Sequence, residues 1–198
     1  MLPIKKRDFF TIPNILCYFR LLLIPVFVSL YLKAETPKEY FFSALIVGVS
    51  GLTDLLDGLI ARKLNQVTEL GKLLDPLADK LTQGALVFCL TSHYPAMWIL
   101  VGLFIVKEGF MAVMGILMLK HNGRKLDGAQ WFGKVSTAVL YITMFVLLLI
   151  PSLPVWLANA LICLCAVTML FTLASYIPVF HRMWHMDPIE KNKKDETS

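Results

Sequence analysis

Residues 54–79 read D-L-L-D-G-L-I-A-R-K-L-N-Q-V-T-E-L-G-K-L-L-D-P-L-A-D, and the four aspartates in this stretch decide the reading of the whole chain. Asp54 and Asp57 stand three apart and share a helix face, which Gly58 and Ala61 continue. Asp75 and Asp79 stand four apart and share a face of the next predicted helix. The apolar runs on either side of these pairs are long enough to cross a bilayer, which takes about 20 residues. Ionisable groups at membrane depth are costly and point to a functional site with partners.

The rest of the composition agrees with a membrane protein. The 198 residues are 57% hydrophobic and 17% charged, where a soluble domain carries about a quarter charged residues. The net charge of +5 is spread between apolar runs and at the two ends, with no basic patch interleaved with aromatics, so nucleic acid is not an expected partner. Cys17, Cys89, Cys163 and Cys165 all lie in apolar runs without zinc-site spacing, and Cys163 and Cys165 point to different sides of a helix. All four are expected to be small buried thiols. No cleavable signal peptide is expected, because the charged start leads into a long span.

Six transmembrane helices are predicted, at roughly 13–33, 40–62, 74–92, 95–119, 130–150 and 154–178. The fold class is therefore an all-α integral membrane protein, a six-transmembrane-helix bundle with cytosolic termini. Residues 1–12 form a juxtamembrane segment, 13–184 the six-helix domain, and 185–198 a polar tail expected to be disordered. Thirteen basic residues fall on one side of the membrane, among them Lys5, Lys6, Arg62, Lys120, Arg124 and Arg182, against Lys33 and Lys38 on the other. The positive-inside rule puts the richer side in the cytosol of an inner membrane. Trp98, Trp131, Trp156 and Trp184 are read as interfacial anchors.

Antiparallel packing of the second and third helices brings the two aspartate pairs to one depth, just below the inner surface. Four carboxylates at low dielectric repel one another strongly unless cations sit among them. Hard oxygen ligands with no His or Cys nearby in sequence select Mg²⁺, Mn²⁺ or Ca²⁺ over zinc. Two metals fit four shared carboxylates, and such sites favour phosphoryl chemistry. Gly58 and Ala61 remove bulk where a ligand must come close, Arg62 offers a fork for phosphate oxygens, and Gly71 opens a tight turn. The plainer alternative is that the aspartates pair with Arg62, Lys63, Lys72 or Lys80 to join helix ends, which explains one aspartate better than four.

The stretch matches D-x-x-D-G-x-x-A-R-x8-G-x-x-x-D-x-x-x-D at all eight fixed positions and resembles the CDP-alcohol phosphatidyltransferase family. T-I-P-N-I-L-C-Y-F-R at 11–20 is similar to that family's start of the first helix. The resemblance implies a binuclear Mg²⁺ or Mn²⁺ site held by Asp54, Asp57, Asp75 and Asp79, with Asp79 also the general base. It further implies a CDP and phosphate pocket at Asn14, Gly58, Ala61, Arg62 and Gly71. CDP-diacylglycerol and an alcohol would be the substrates, CMP the leaving group, and a homodimer among membrane lipids the expected assembly.

The acceptor is harder to read. Phosphatidylglycerophosphate synthases usually carry Arg-Glu in the fourth helix and G-K-x-K-T at the fifth, where this chain has Lys107-Glu108 and Gly133-Lys134-Val135-Ser136-Thr137. The K-V-S-T-A run is closer to cardiolipin synthases, whose acceptor is phosphatidylglycerol. Glycerol-3-phosphate is favoured, with Lys107, Lys134, Arg20 and Arg124 as acceptor-binding candidates, and phosphatidylglycerol is the alternative. Lys107 pairing with Glu108, and Lys134 snorkelling to the surface, are the plain readings of those two lysines. A divalent-metal transporter on the same carboxylates needs polar groups across the full thickness, which the outer halves of the spans lack.

Overall fold

The computed structural model describes residues 10–63, 68, 70–123 and 130–185; within the helices, the side chains of residues 55, 58, 61, 62, 72 and 73 are not described. The described residues form six helices: α1 (Ile12–Lys33), α2 (Pro37–Lys63), α3 (Gly71–Leu90), α4 (Met97–Asn122), α5 (Trp131–Leu149) and α6 (Val155–Trp184). Among them α1, α4, α5 and α6 are long and apolar enough to cross a membrane. Helices α2 and α3 are the two that carry the four aspartates. The N-terminal segment before residue 10, Arg124 and the tail from 186 lie outside the described residues.

Local chemistry sets the helix limits. Thr36, Pro37 and Glu39 start α2 three residues ahead of the apolar run that begins at Tyr40. The Glu39 carboxylate accepts hydrogen bonds from the backbone N–H of Glu35 (2.7 Å) and Thr36 (3.0 Å), half of a capping box with proline at the first helical position. These two donors hold the Glu39 carboxyl below its ordinary range, so the cap persists at neutral pH and weakens as acid protonates it. Helix α4 closes on Gly123, whose φ of 69° lies in the left-handed region that glycine enters without steric cost. Helix α6 runs six residues past its predicted end, through Pro178, because its last turns are packed as well as apolar: Phe180 and Met183 are buried.

The chain divides into two compact units. One takes the described residues up to Pro95 together with Met144–Leu153, and the other takes Ala96–Thr143 and Pro154 onward. In the first, α1 packs against both α2 and α3. At the end remote from the aspartates, the Tyr40 hydroxyl donates to the Ala34 carbonyl (2.7 Å) and lies 2.9 Å from His93 Nε2. The single phenolic proton of Tyr40 is spent on Ala34, so His93 Nε2–H donates to Tyr40 and Nδ1 accepts from the Tyr31 hydroxyl at 3.3 Å. This chain of bonds ties the α1–α2 link to the α3–α4 link.

In the second unit α4 packs on α6 around Met118, Tyr176, Phe180 and Met183. The Asn122 amide donates to the Met183 carbonyl (2.6 Å) and joins the ends of the two helices. Cys89 and Cys165 are buried as expected, but Cys163 is exposed. Two positions along a helix turn a side chain by about 200°, so burial of Cys165 turns Cys163 outward.

Gly133 in α5 admits the Tyr176 ring: a Cβ there would lie 2.6 Å from the phenolic oxygen. Gly133→Ala is expected to lower the stability of the detergent-solubilised protein by about 1–3 kcal/mol through overpacking. Tyr176→Phe in the same background removes the clashing oxygen and should recover most of that loss, read as melting temperature.

Candidate active site

The site is built in the first unit, on α1, α2 and α3. The first half of α1 carries a buried line of residues at three-residue spacing, Asn14, Cys17 and Arg20, exposed to 1%, 1% and 2%. Positions three apart stay on one side of a helix, and here that side faces the helices that carry the aspartates.

Arg20 lies between the two aspartates of α2. Its Nη1 is 2.5 Å from Asp54 Oδ1, and its Nη2 donates to Asp57 Oδ2. Asp57 is buried, whereas the Asp54 side chain is 48% exposed and reaches the open side of the site. Cys17, one turn before Arg20, places its Sγ 2.9 Å from Asp75 Oδ1 and 3.9 Å from Asp57 Oδ2. Cys17 Sγ and one oxygen each of Asp57 and Asp75 lie within 4.8 Å of one another. Asp79 stands four residues after Asp75 and so shares its face of α3. Asp79 accepts a hydrogen bond from Gln83 Nε2 (3.2 Å), and the Gln83 carbonyl faces Lys80 Nζ at 3.4 Å.

One guanidinium stands against Asp54 and Asp57 together, and Asp75 and Asp79 add two more negative groups nearby. Converging carboxylate oxygens of this kind suit hard divalent cations, so the donor set fits Mg²⁺ or Mn²⁺. Arg20 ion-pairs with Asp54 and Asp57, and the side chains of Arg62 and Lys72 lie outside the described residues.

A second group guards the entry to α3. Asn14 Nδ2 donates to Thr68 Oγ1 (3.1 Å), and Thr68 Oγ1 accepts from the Gly71 N–H (2.9 Å). A Cβ on Gly71 would meet Asn14 Oδ1 at 2.7 Å. Gly71 is the first residue of α3 and has no positive φ. A side chain there would have to displace the Asn14 amide, so glycine suits this close approach, and the expected tight turn before α3 falls mostly outside the described residues.

The remaining expected site residues lie elsewhere. Gly58, Ala61 and Arg62 continue α2 one and two turns beyond Asp54, and their side chains are outside the described set. Lys107 is buried in α4 and pairs with Glu108 at 2.8 Å, the plain reading for that residue. Lys134 is exposed in the first turn of α5. Ser136 is buried with no hydrogen-bond partner for its hydroxyl. Sequence reasoning missed Cys17 and Gln83 as neighbours of the aspartates and gave Arg20 to an acceptor instead of to Asp54 and Asp57.

Arg20→Gln should leave the buried Asp57 charge poorly compensated, at a cost of about 3–5 kcal/mol. The melting temperature in chelator is expected to fall accordingly, and added Mg²⁺ should restore more of it in the variant than in the unsubstituted protein.

The sequence has relatives among known proteins. Residues 10–178 match the CDP-alcohol phosphatidyltransferase family. A CDP-diacylglycerol--glycerol-3-phosphate 3-phosphatidyltransferase of Escherichia coli (strain K12) is 34% identical over 170 residues, covering 85% of this chain and 92% of that one. One of the same name from Shigella flexneri serotype 5b (strain 8401) is 33% identical over 171 residues, covering 85% and 93%. On the extent of that match, with the motif aspartates carried on α2 and α3, the chain belongs to the CDP-alcohol phosphatidyltransferase family and is a membrane phosphatidyltransferase of phospholipid synthesis.

Proposed function

We propose that this enzyme transfers the phosphatidyl group of CDP-diacylglycerol to glycerol-3-phosphate, giving phosphatidylglycerophosphate and CMP. The observation that carries the reaction is the convergence of Asp54, Asp57, Asp75 and Asp79. The acceptor rests on the relatives, whose names specify glycerol-3-phosphate and which match over 85% of the chain. The active site is taken to face the cytosol of the inner membrane, where the basic residues gather, and the assembly to be a homodimer.

Asp54, Asp57 and Asp75 would hold two Mg²⁺ or Mn²⁺ ions, with Asp79 shared between metal binding and base catalysis. When bound, such ions draw phosphate oxygens together and offset charge that develops at phosphorus. The protein does the rest. Asp79, held by the Gln83 amide, takes the proton of the acceptor hydroxyl. That oxygen forms a bond to the phosphorus bearing diacylglycerol, the bond from this phosphorus to CMP breaks, and CMP leaves. Asn14 and Gly71, with Gly58, Ala61 and Arg62 of α2, supply the nucleotide side of the pocket. A pocket built for a nucleotide needs small residues where backbone approaches ligand, which the Asn14–Gly71 contact already illustrates.

Phosphatidylglycerol is the second acceptor reading. It is favoured by Ser136, a buried hydroxyl where phosphatidylglycerophosphate synthases carry a second lysine. A glycerol-3-phosphate acceptor brings a dianionic phosphate, for which Lys107 and Lys134 are the proposed partners, with Arg124 a further candidate and Arg20 engaged by Asp54 and Asp57.

One assay separates these readings. Purified protein is supplied with CDP-diacylglycerol, Mg²⁺ and either labelled glycerol-3-phosphate or phosphatidylglycerol, and CMP and product are measured. Product from glycerol-3-phosphate is expected, abolished in Asp79→Asn while CDP-diacylglycerol still binds. Lys134→Gln should raise the acceptor KM about tenfold to a hundredfold, the worth of a charge-assisted contact, with little change for CDP-diacylglycerol. Turnover with phosphatidylglycerol alone would overturn the acceptor, and near-normal turnover in Asp79→Asn would remove that residue as base.

A further inference from the structure

Cys17 has no part in the family motif, yet it lies deeper in the aspartate cluster than any cysteine needs to for packing. Its Sγ reaches one oxygen of Asp75 at 2.9 Å and one of Asp57 at 3.9 Å, so it touches both aspartate-bearing helices from α1. The three other cysteines serve as internal controls. Cys89 is equally buried but makes no carboxylate contact among the described residues, Cys165 meets the Val139 carbonyl at 3.7 Å and the Thr143 side chain, and Cys163 is exposed. A space-filling thiol would resemble Cys89. Cys17 instead behaves as a donor.

The physical consequence follows from the chemistry of the pair. A thiol carries one weakly donating proton, and its attraction to a carboxylate is strengthened where water is excluded. At 1% exposure Cys17 has no water to compete for that proton. Asp75 stands one turn inside the start of α3, and Cys17 reaches it from the neighbouring helix α1. Partners that hold a ligating carboxylate from behind fix its posture, and their loss typically weakens metal binding by about 10–100-fold.

We propose that Cys17 is a positioning residue of the metal centre: its thiol holds the Asp75 carboxylate in the posture that a divalent cation requires, without itself ligating the ion. The inference rests on the reading of Asp54, Asp57, Asp75 and Asp79 as metal ligands. It makes α1 a working part of the centre at two successive turns, with Arg20 disposing Asp54 and Asp57 and Cys17 disposing Asp75.

The test is Mn²⁺ binding to the full chain in detergent, read by electron paramagnetic resonance without substrate. Cys17→Ala should weaken Mn²⁺ binding by about tenfold, whereas Cys17→Ser, which keeps a donor, should stay within about twofold of the unsubstituted protein. Should the alanine variant fail to fold, Cys17→Val supplies an apolar side chain of closer volume. Cys89→Ala, with a buried thiol that meets no carboxylate, should leave binding unchanged. The inference is overturned if the apolar variant binds Mn²⁺ as tightly as the unsubstituted chain while Asp75→Asn does not, or if serine fails as badly as alanine. If the unsubstituted chain and Asp75→Asn alike bind no Mn²⁺, the metal reading itself fails and this inference goes with it.

Discussion

The guanidinium of Arg20, on α1, grips both aspartates of α2, and the geometry of the site depends on that contact. Arg20 is buried, and so is Asp57, and neither charge survives there without the other. Cys17, one turn earlier on α1, reaches Asp75 of α3 and so brings a carboxylate of the third helix to the same place. Carboxylate oxygens gathered in this way are the ligands that hard divalent cations take.

The scaffold keeps this arrangement in place through α1, which packs on both aspartate-bearing helices. Its buried polar line meets the entry to α3 at Asn14, Asp75 at Cys17, and Asp54 and Asp57 at Arg20. The far end of the same unit is fastened by Tyr31, Tyr40 and His93, whose hydrogen bonds join two links between helices. Each helix of the unit is thus tied at both ends. That matters for carboxylates that repel, because repulsion between charges is relieved by any freedom the backbone leaves them.

Much of this was legible in the sequence, and the reasons differ between fold and site. Helix positions followed from apolar runs and from charges gathered between them, with α1 and α5 matching within one residue. The start of α2 and the end of α6 were misjudged because a cap and a packed terminal turn extend a helix beyond its hydrophobic stretch. The grouping of the aspartates followed from their spacing. Their partners did not, because Cys17, Gln83 and Arg20 act across helices or through one turn of neighbours that no motif records. A signal was present all the same: Asn14, Cys17 and Arg20 recur every three residues in the first half of α1. That pattern marks a polar line facing a polar partner, and a thiol within it is better read as a donor than as filler.

The central claim is that the four aspartates form one centre for two cations, in contrast to two separate pairs. Its most direct measurement is the magnetic interaction between Mn²⁺ ions bound to the purified chain at saturation. Ions held by shared carboxylates lie about 3.5–4 Å apart, so the account predicts two Mn²⁺ per chain with an exchange-coupled spectrum that collapses in Asp57→Asn or Asp75→Asn. Two uncoupled ions, or a spectrum indifferent to those substitutions, would contradict it.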